Sequence, residues 1–160
     1  PLITEQARFV AQTMGIRSEI DLRAMAPSVQ ARFQQKCLQA QKIAEMAHPN
    51  GFVSDRTVVD NAAYWLAWSH AHEDTITRCG FLTDCYSWAK HYDLIIFCPR
   101  QGQPPEDDGF RLTDPVYQME IELLIRTLLV GWELHFIRVE GTPEQRVEQV
   151  VAALKEVRAA

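Results

Sequence analysis

The sequence lacks several features that would place it quickly. No run of apolar residues approaches the roughly 18 that a membrane-crossing helix requires, so no membrane association is expected. There is no excess of positive charge: 16 Lys and Arg stand against 21 Asp and Glu, for a net charge of -5. That balance makes nucleic acid an unlikely partner and argues against bulk attraction to an anionic membrane surface; a local basic patch is still compatible with it. Cysteine is sparse, and Cys37, Cys79, Cys85 and Cys98 form no C-x-x-C pair, which argues against a zinc ribbon or a thioredoxin-like motif. Cys37 and Cys98 sit among apolar residues and read as core thiols, and a reducing, cytoplasmic setting is the simpler assumption. No internal repeat or low-complexity stretch is visible. The first residues turn polar within a few positions, unlike a secretory signal, and residue 1 is proline, which reads as a processed or trimmed N-terminus.

What is present fits one globular domain. The chain has 160 residues, 47% of them hydrophobic and 23% charged. Residues 1–3 read as the end of a strand. A helix is expected from Glu5 to Met14, closed by Gly15, and a second from about Ser28 to Met46 with Val29, Phe33, Cys37, Ala40, Ala44 and Ala47 as its buried stripe. Phe52 and Val53 begin a short strand that runs into Asp55 and Arg56. Thr57 caps a helix to about Trp68, with Asp60 three positions on in a near capping box. After a polar turn at 69–74 another helix reaches about His91. The run 93–98 reads as a strand buried on both faces. Asp114-Pro115 opens a helix that Gly131 closes, and 134–139 is a strand. The last helix begins with a Thr142/Gln145 capping box and has Val147, Val150, Val151 and Leu154 as its inner stripe.

Strands alternating with helices indicate an α/β domain with a mainly parallel sheet, in which ligands bind beyond the carboxyl ends of the strands. The residues there carry two readings each. Asp55 can hold a water of a bound Mg²⁺ and Arg56 can reach phosphate oxygens, or the pair is a helix cap with a solvated neighbour. Glu5 can accept a hydroxyl proton, or it is simply an acid in a helix's first turn. Arg100 and Arg111 bracket a long Pro-, Gly- and Asp-rich segment that suits a lid over a transferred phosphate, or a solvated loop pairing with its own acids. Gly141, Thr142 and Arg146 can face an adenine ring, or form only a capping box. His70 and His72, with nearby acids, match no standard zinc spacing and read mainly as a hydrophilic turn.

Taken together, these stretches resemble the AAA-type P-loop family that includes the nicotinamide-riboside kinase domain, and more loosely the deoxynucleoside and thymidylate kinases. The resemblance rests on Thr4-Glu5-Gln6-Ala7-Arg8, on 52–56 with Asp60 and Tyr64, on 93–97, on Asp108-Gly109-Phe110-Arg111, and on 139–142 followed by Arg146. It implies a three-layer P-loop NTPase-like domain, with a mainly parallel sheet flanked by helices. It implies ATP and Mg²⁺ as cofactors and a small nucleoside-like acceptor as substrate. Glu5 would be hydroxyl ligand or base, Asp55 would lie by Mg²⁺ or the acceptor, and Arg56 would help to position that acceptor. Arg111 and Arg100 would be lid arginines, and Gly141, Thr142 and Arg146 would lie by the adenine.

One departure is large. The family's G-x-x-x-x-G-K-[ST] loop does not occur, and none of the four lysines, Lys36, Lys42, Lys90 and Lys155, follows a glycine. Residues 1–160 therefore read as a single P-loop kinase-like domain without its first strand and phosphate loop, a preceding βα unit having been removed or left out. In the family that strand is central, so its lack predicts a gap in the sheet with unpaired backbone on both sides. The expected activity is ATP-dependent phosphoryl transfer to a small metabolite. The alternative is a P-loop-derived nucleotide-binding or regulatory module without kinase activity, which an exposed patch among Trp65, Trp68, Trp88 and Trp132 would favour. A zinc hydrolase using His70 and His72 is a minor third reading, and a homo-oligomer is left open.

Overall fold

A computed structural model of the chain describes residues 1–68, 73–100 and 108–159, with side chains to residue 157. In chain order its elements are β1 (Leu2–Ile3), α1 (Gln6–Thr13), α2 (Glu19–Ala24), α3 (Pro27–Met46), β2 (Val53–Ser54), α4 (Val58–Trp68), α5 (Thr75–Ala89), β3 (Ile95–Phe97), α6 (Pro115–Gly131), β4 (Phe136–Arg138) and α7 (Pro143–Ala159). Helix starts follow local chemistry, in which a side-chain oxygen satisfies an orphan N–H of the first turn. Asp74 accepts from the Thr77 N–H at 2.9 Å and Asp114 from the Val116 N–H at 2.9 Å. Thr57 and Asp60 close the start of α4, and the Thr142 N–H donates to Gln145 Oε1 at 2.9 Å as the capping box predicts. Helix α2 is not foreshadowed by periodicity, since it has only six residues; its cap, Ser18 Oγ accepting from the Asp21 N–H, was the available signal.

All strand pairing is parallel, as expected of an α/β domain, but the strands do not form one sheet. Among the described residues β1 pairs only with β2, and β3 only with β4. Val53 and Asp55 direct their N–H groups to Pro1 and Ile3, so by the alternation of a parallel ladder the backbone of Ser54 points to the opposite edge. Ile95 donates to His135, and Phe97 accepts from Val139, so Ile96 likewise points away from β4. Both of these edges border a slot of about 580 Å³, whose other walls include Ile121, Ile125 and Leu129 of α6 and Val150 and Leu154 of α7.

Several departures from expectation lie around the slot. The stripe on α7 is not inner: Val147 is 61% exposed, Val151 46% and Leu154 39%; Leu154 and the half-buried Val150 border the slot. Ile96, expected to be buried on both faces, is 38% exposed and borders the same slot. Cys98, at the end of β3, is exposed and is not a core thiol, whereas Cys37 is buried.

The main core lies where α4 packs against α3, α5 and α6. Trp65 is fully buried there and stacks on Phe81 with ring centroids 4.2 Å apart. A smaller core joins α1, α2 and α3 through Val10, Leu22, Phe33 and Cys37. The buried face of α3 differs from the expected stripe: Ala47 is exposed, while Gln34, Gln41 and Glu45 are inside. A buried carboxylate persists only when its oxygens are satisfied, and Glu45 accepts from Gln41, Trp88 and Tyr92. Trp68, Trp88 and Trp132 are half-buried, so the tryptophans make no exposed patch.

Candidate functional site

Glu5 follows β1 at the start of α1, but its carboxylate does not cap that helix. It turns to two arginines instead. Arg8 Nε donates to Glu5 Oε2 at 2.9 Å, and Arg111 Nη2 donates to the same oxygen at 3.4 Å. The other arm of Arg8 pairs with Asp108. Asp108 Oδ1 also accepts the N–H groups of Phe110 (3.0 Å) and Arg111 (2.9 Å), a side-chain-closed turn that fixes where Arg111 leaves the backbone. Arg111 Nε lies 3.3 Å from Asp108 Oδ2, yet it is buried without an aligned hydrogen bond, so that contact is ionic only.

The third arginine comes from the end of β2. Arg56 has φ of 96°, a left-handed conformation that costs a non-glycine residue about 1–3 kcal/mol. The surroundings hold it there. Arg56 Nη1 donates to Asp60 Oδ1 at 3.2 Å. Gln41 Nε2 donates to Ser54 Oγ at 2.8 Å and to Glu45 Oε1 at 2.6 Å, with a longer contact of 3.4 Å to the Arg56 carbonyl. A carboxylate network rooted in α3 thus anchors the turn that aims Arg56.

These charges set the protonation states. Burial alone would raise the pKa of Glu5, but the Arg8 hydrogen bond and the fields of Arg56 and Arg111 outweigh it, leaving Glu5 below the ordinary value and ionised. Asp108 is pushed well down by the Arg111 N–H and by Arg8. Asp60 holds Arg56 firmly protonated. Glu19 goes the other way, raised by burial despite the Leu112 N–H and Tyr117 on its oxygens. Burial pushes the Tyr64 phenol up to about 12, so it is neutral.

Glu5, Arg56, Asp60 and Arg111 rim a cavity of about 60 Å³ between α1, α3 and α4. Its floor is formed by Leu22, Phe33, Gln34 and Cys37, all buried, and its walls include Tyr64, Trp68 and Phe110. Burial raises the Cys37 thiol far above its usual range, so it is an inert lining group here.

Of the residues singled out from sequence, Glu5, Arg56 and Arg111 are brought together. Asp55 is exposed and borders the slot beside β2. No group of three His, Cys, Asp or Glu that could hold a metal gathers among the described residues. A lone carboxylate at a strand end still fits Mg²⁺, which is usually held by one or two carboxylates together with substrate phosphates and water. Arg100 is apart from Glu5: its N–H donates to Glu122 and its Nη1 to the Pro115 carbonyl at 3.1 Å, on the slot side. Gly141, Thr142 and Arg146 line neither cavity. Arg146 Nε donates to the Gly141 carbonyl at 3.0 Å, closing the turn. His70, His72 and most of the expected lid, 101–107, lie outside the described residues. Sequence reasoning gave no role to Glu19, Gln34, Gln41 or Asn61. A Gln at position 34, one residue past Phe33 on a mostly apolar helix face, was the only available hint.

A family model described as AAA domain matches residues 1–146. No curated protein and no solved structure matches the chain.

Proposed function

The chain belongs to the AAA domain family, of AAA-type P-loop NTPase-like character, and from that premise we propose that it transfers a phosphoryl group from ATP to a hydroxyl of a small nucleoside-like acceptor. The observation that carries this reading is the meeting of Arg8 and Arg111 on one ionised carboxylate, Glu5, with the Arg56–Asp60 pair close enough to add its field, at the rim of an aromatic-walled cavity. Phosphoryl transfer requires little covalent chemistry from the protein; it requires positioning and neutralisation of charge on the transferred group. Glu5 is poised to accept the acceptor's hydroxyl proton. Arg111 and Arg56 would meet phosphoryl oxygens; Asp60 holds the Arg56 guanidinium, and the turn closed by Asp108 fixes where Arg111 leaves the backbone. Mg²⁺, when bound, would neutralise the donor phosphates, with Asp55 near it through water.

The described residues around the cavity include no lysine or glycine to cradle the donor phosphates, and the sequence has no glycine-lysine loop. We place that function at the slot between β2 and β3. A parallel strand entering there would pair with the backbone of Ser54 and Ile96, cover Val150 and Leu154, and end beside Asp55 and Arg56.

The test is turnover of the intact protein with Mg²⁺-ATP and a panel of nucleosides, paired with calorimetric ATP binding. Arg111→Ala is expected to lower kcat by about 10²-fold or more while ATP affinity changes little, as loss of one transition-state donor does. Unchanged turnover in that variant removes Arg111 from the reaction, and absence of both ATP binding and transfer in the intact protein removes the kinase reading.

A further inference from the structure

Glu19 opens α2 and is only 7% exposed, and its hydrogen bonds leave that helix for a segment some ninety positions on. Its N–H, one of the first-turn donors that a helix leaves unpaired, donates to the Phe110 carbonyl at 2.9 Å. Its carboxylate returns to the same segment, where Oε2 accepts the Leu112 N–H at 2.5 Å. The other oxygen, Oε1, accepts the Tyr117 hydroxyl at 3.4 Å. One residue therefore bonds the chain immediately before and immediately after Arg111. Both of its oxygens are engaged, so Glu19 borders the small cavity without offering it a free acceptor.

The other bonds at this segment do a different task. Asp108 accepts the N–H groups of Phe110 and Arg111, and Gln118 Nε2 donates to the Leu112 carbonyl at 2.8 Å. Asp108 lies within three positions of its partners, so it sets the shape of the turn but not where the turn sits relative to Glu5. Two contacts tie the turn to the first helices: the Arg8–Asp108 ion pair and the Glu19 clamp. The ion pair is partly solvated, with side chains 36% and 25% exposed, and such pairs contribute about 0–1 kcal/mol. A hydrogen bond to a charged group contributes about 1.5–3 kcal/mol. Burial raises the Glu19 pKa, and the Leu112 N–H is the main influence pulling it back, so that bond favours the charged form. The clamp also stands on a firm base: Leu22 of α2 is fully buried with Val10, Phe33 and Cys37, and Phe110 packs on the same cluster.

We infer that Glu19 is the positioning residue for Arg111: by bonding Phe110 and Leu112 it holds the Arg111 side chain against Glu5 at the cavity rim, and it acts in the reaction through Arg111 without touching substrate. The inference rests on the reading of Arg111 as a group that meets the transferred phosphate.

The test is a double-mutant cycle on the full chain, with kcat and the KM for Mg²⁺-ATP measured for Glu19→Ala, Arg111→Ala and the pair. Glu19→Ala is expected to lower kcat by about 10- to 100-fold with the KM for ATP within about 3-fold of wild type, as a misplaced catalytic group does. In the Arg111→Ala background the same change should cost nothing further, because the group it positions is gone. Glu19→Gln keeps an oxygen for the Leu112 N–H and should restore kcat to within about 3-fold of wild type. Glu19→Met fills the same space without an acceptor and should behave as Glu19→Ala. Amide hydrogen exchange gives a readout without turnover: Leu112 should exchange about 10-fold faster or more in Glu19→Ala, while the Leu22 amide, bonded to Ser18 within α2, stays protected and shows the fold intact. Losses that add in the double variant, a Glu19→Met protein as active as wild type, or unchanged Leu112 exchange in Glu19→Ala would each overturn the inference while leaving the kinase reading in place. Absence of transfer in the wild type would overturn the kinase reading, and with it any part for Glu19 in that reaction.

Discussion

The carboxylate of Glu5 and the guanidinium of Arg111 stand 3.4 Å apart, although 106 positions separate them in the chain. Arg8 and Asp108 complete the same cluster, so the start of α1 and the segment before α6 are tied by charge at one point. The pairing ionises the proposed base and, with the same contact, places the proposed lid arginine over it.

Acid should loosen that tie. The folded-state pKa of Glu5 lies below its ordinary value, so the stability it contributes is present above the unfolded carboxylate range and is lost as pH falls through the folded value. Asp108 acts in the same direction. Glu19, raised by burial, opposes them and gains on protonation. Wild-type Tm is therefore expected to drop between about pH 5 and pH 2 more steeply than that of Glu5→Gln. Parallel melting curves across that interval would show that Glu5 has no linked role.

Gln41 should matter for Arg56 at a distance. Its amide braces Ser54, Glu45 and the carbonyl of a residue held at positive φ. Gln41→Leu should destabilise the fold by about 1–3 kcal/mol, the cost of leaving Glu45 short of a donor. Under the proposed function it should also lower kcat, by misaiming Arg56. Denaturant unfolding checks the first effect, and the kcat-to-KM split the second; wild-type stability in the variant would remove the brace.

Trp65 carries the main core. It is fully buried and stacked on Phe81, so Trp65→Ala should cost about 3–5 kcal/mol, read as a lower denaturation midpoint with unchanged slope. A loss below about 1 kcal/mol would mean that the core collapses around the gap.

The four thiols should fall into two classes. Cys79 and Cys98 are exposed; Cys37 and Cys85 are buried, and burial raises their pKa. Two are expected to react with an aromatic disulfide reagent quickly in the native state and two only on unfolding. Fast labelling of Cys37 would show that the small cavity opens far more widely than its 60 Å³ suggests.

Which parts of this were readable in advance follows from the range of the interactions. The Thr142/Gln145 box and the Thr57/Asp60 start formed as read, because both partners lie within three residues. The spans of α3 and α6 also agreed closely with the pattern. The α3 stripe did not, since burying Glu45 depended on Trp88, in the last turn of α5, and Tyr92, just after it, reaching its carboxylate. Glu5, Arg56 and Arg111 could be named from their places after strands, but their mutual contacts could not.

The sequence by itself determined the α/β alternation, the helix caps and the absence of a glycine-lysine phosphate loop, because each is a matter of local propensity or of residue order. The order of residues also led to the expectation of a gap in the sheet, which appears as the slot between the two strand pairs; tertiary structure alone decided that α7 leaves its apolar stripe open and that two arginines meet one carboxylate while a third pairs with Asp60 beside it. Those outcomes depend on which distant surfaces find each other, and the free energy of such contacts is set by burial and charge pairing, which no local window of sequence contains.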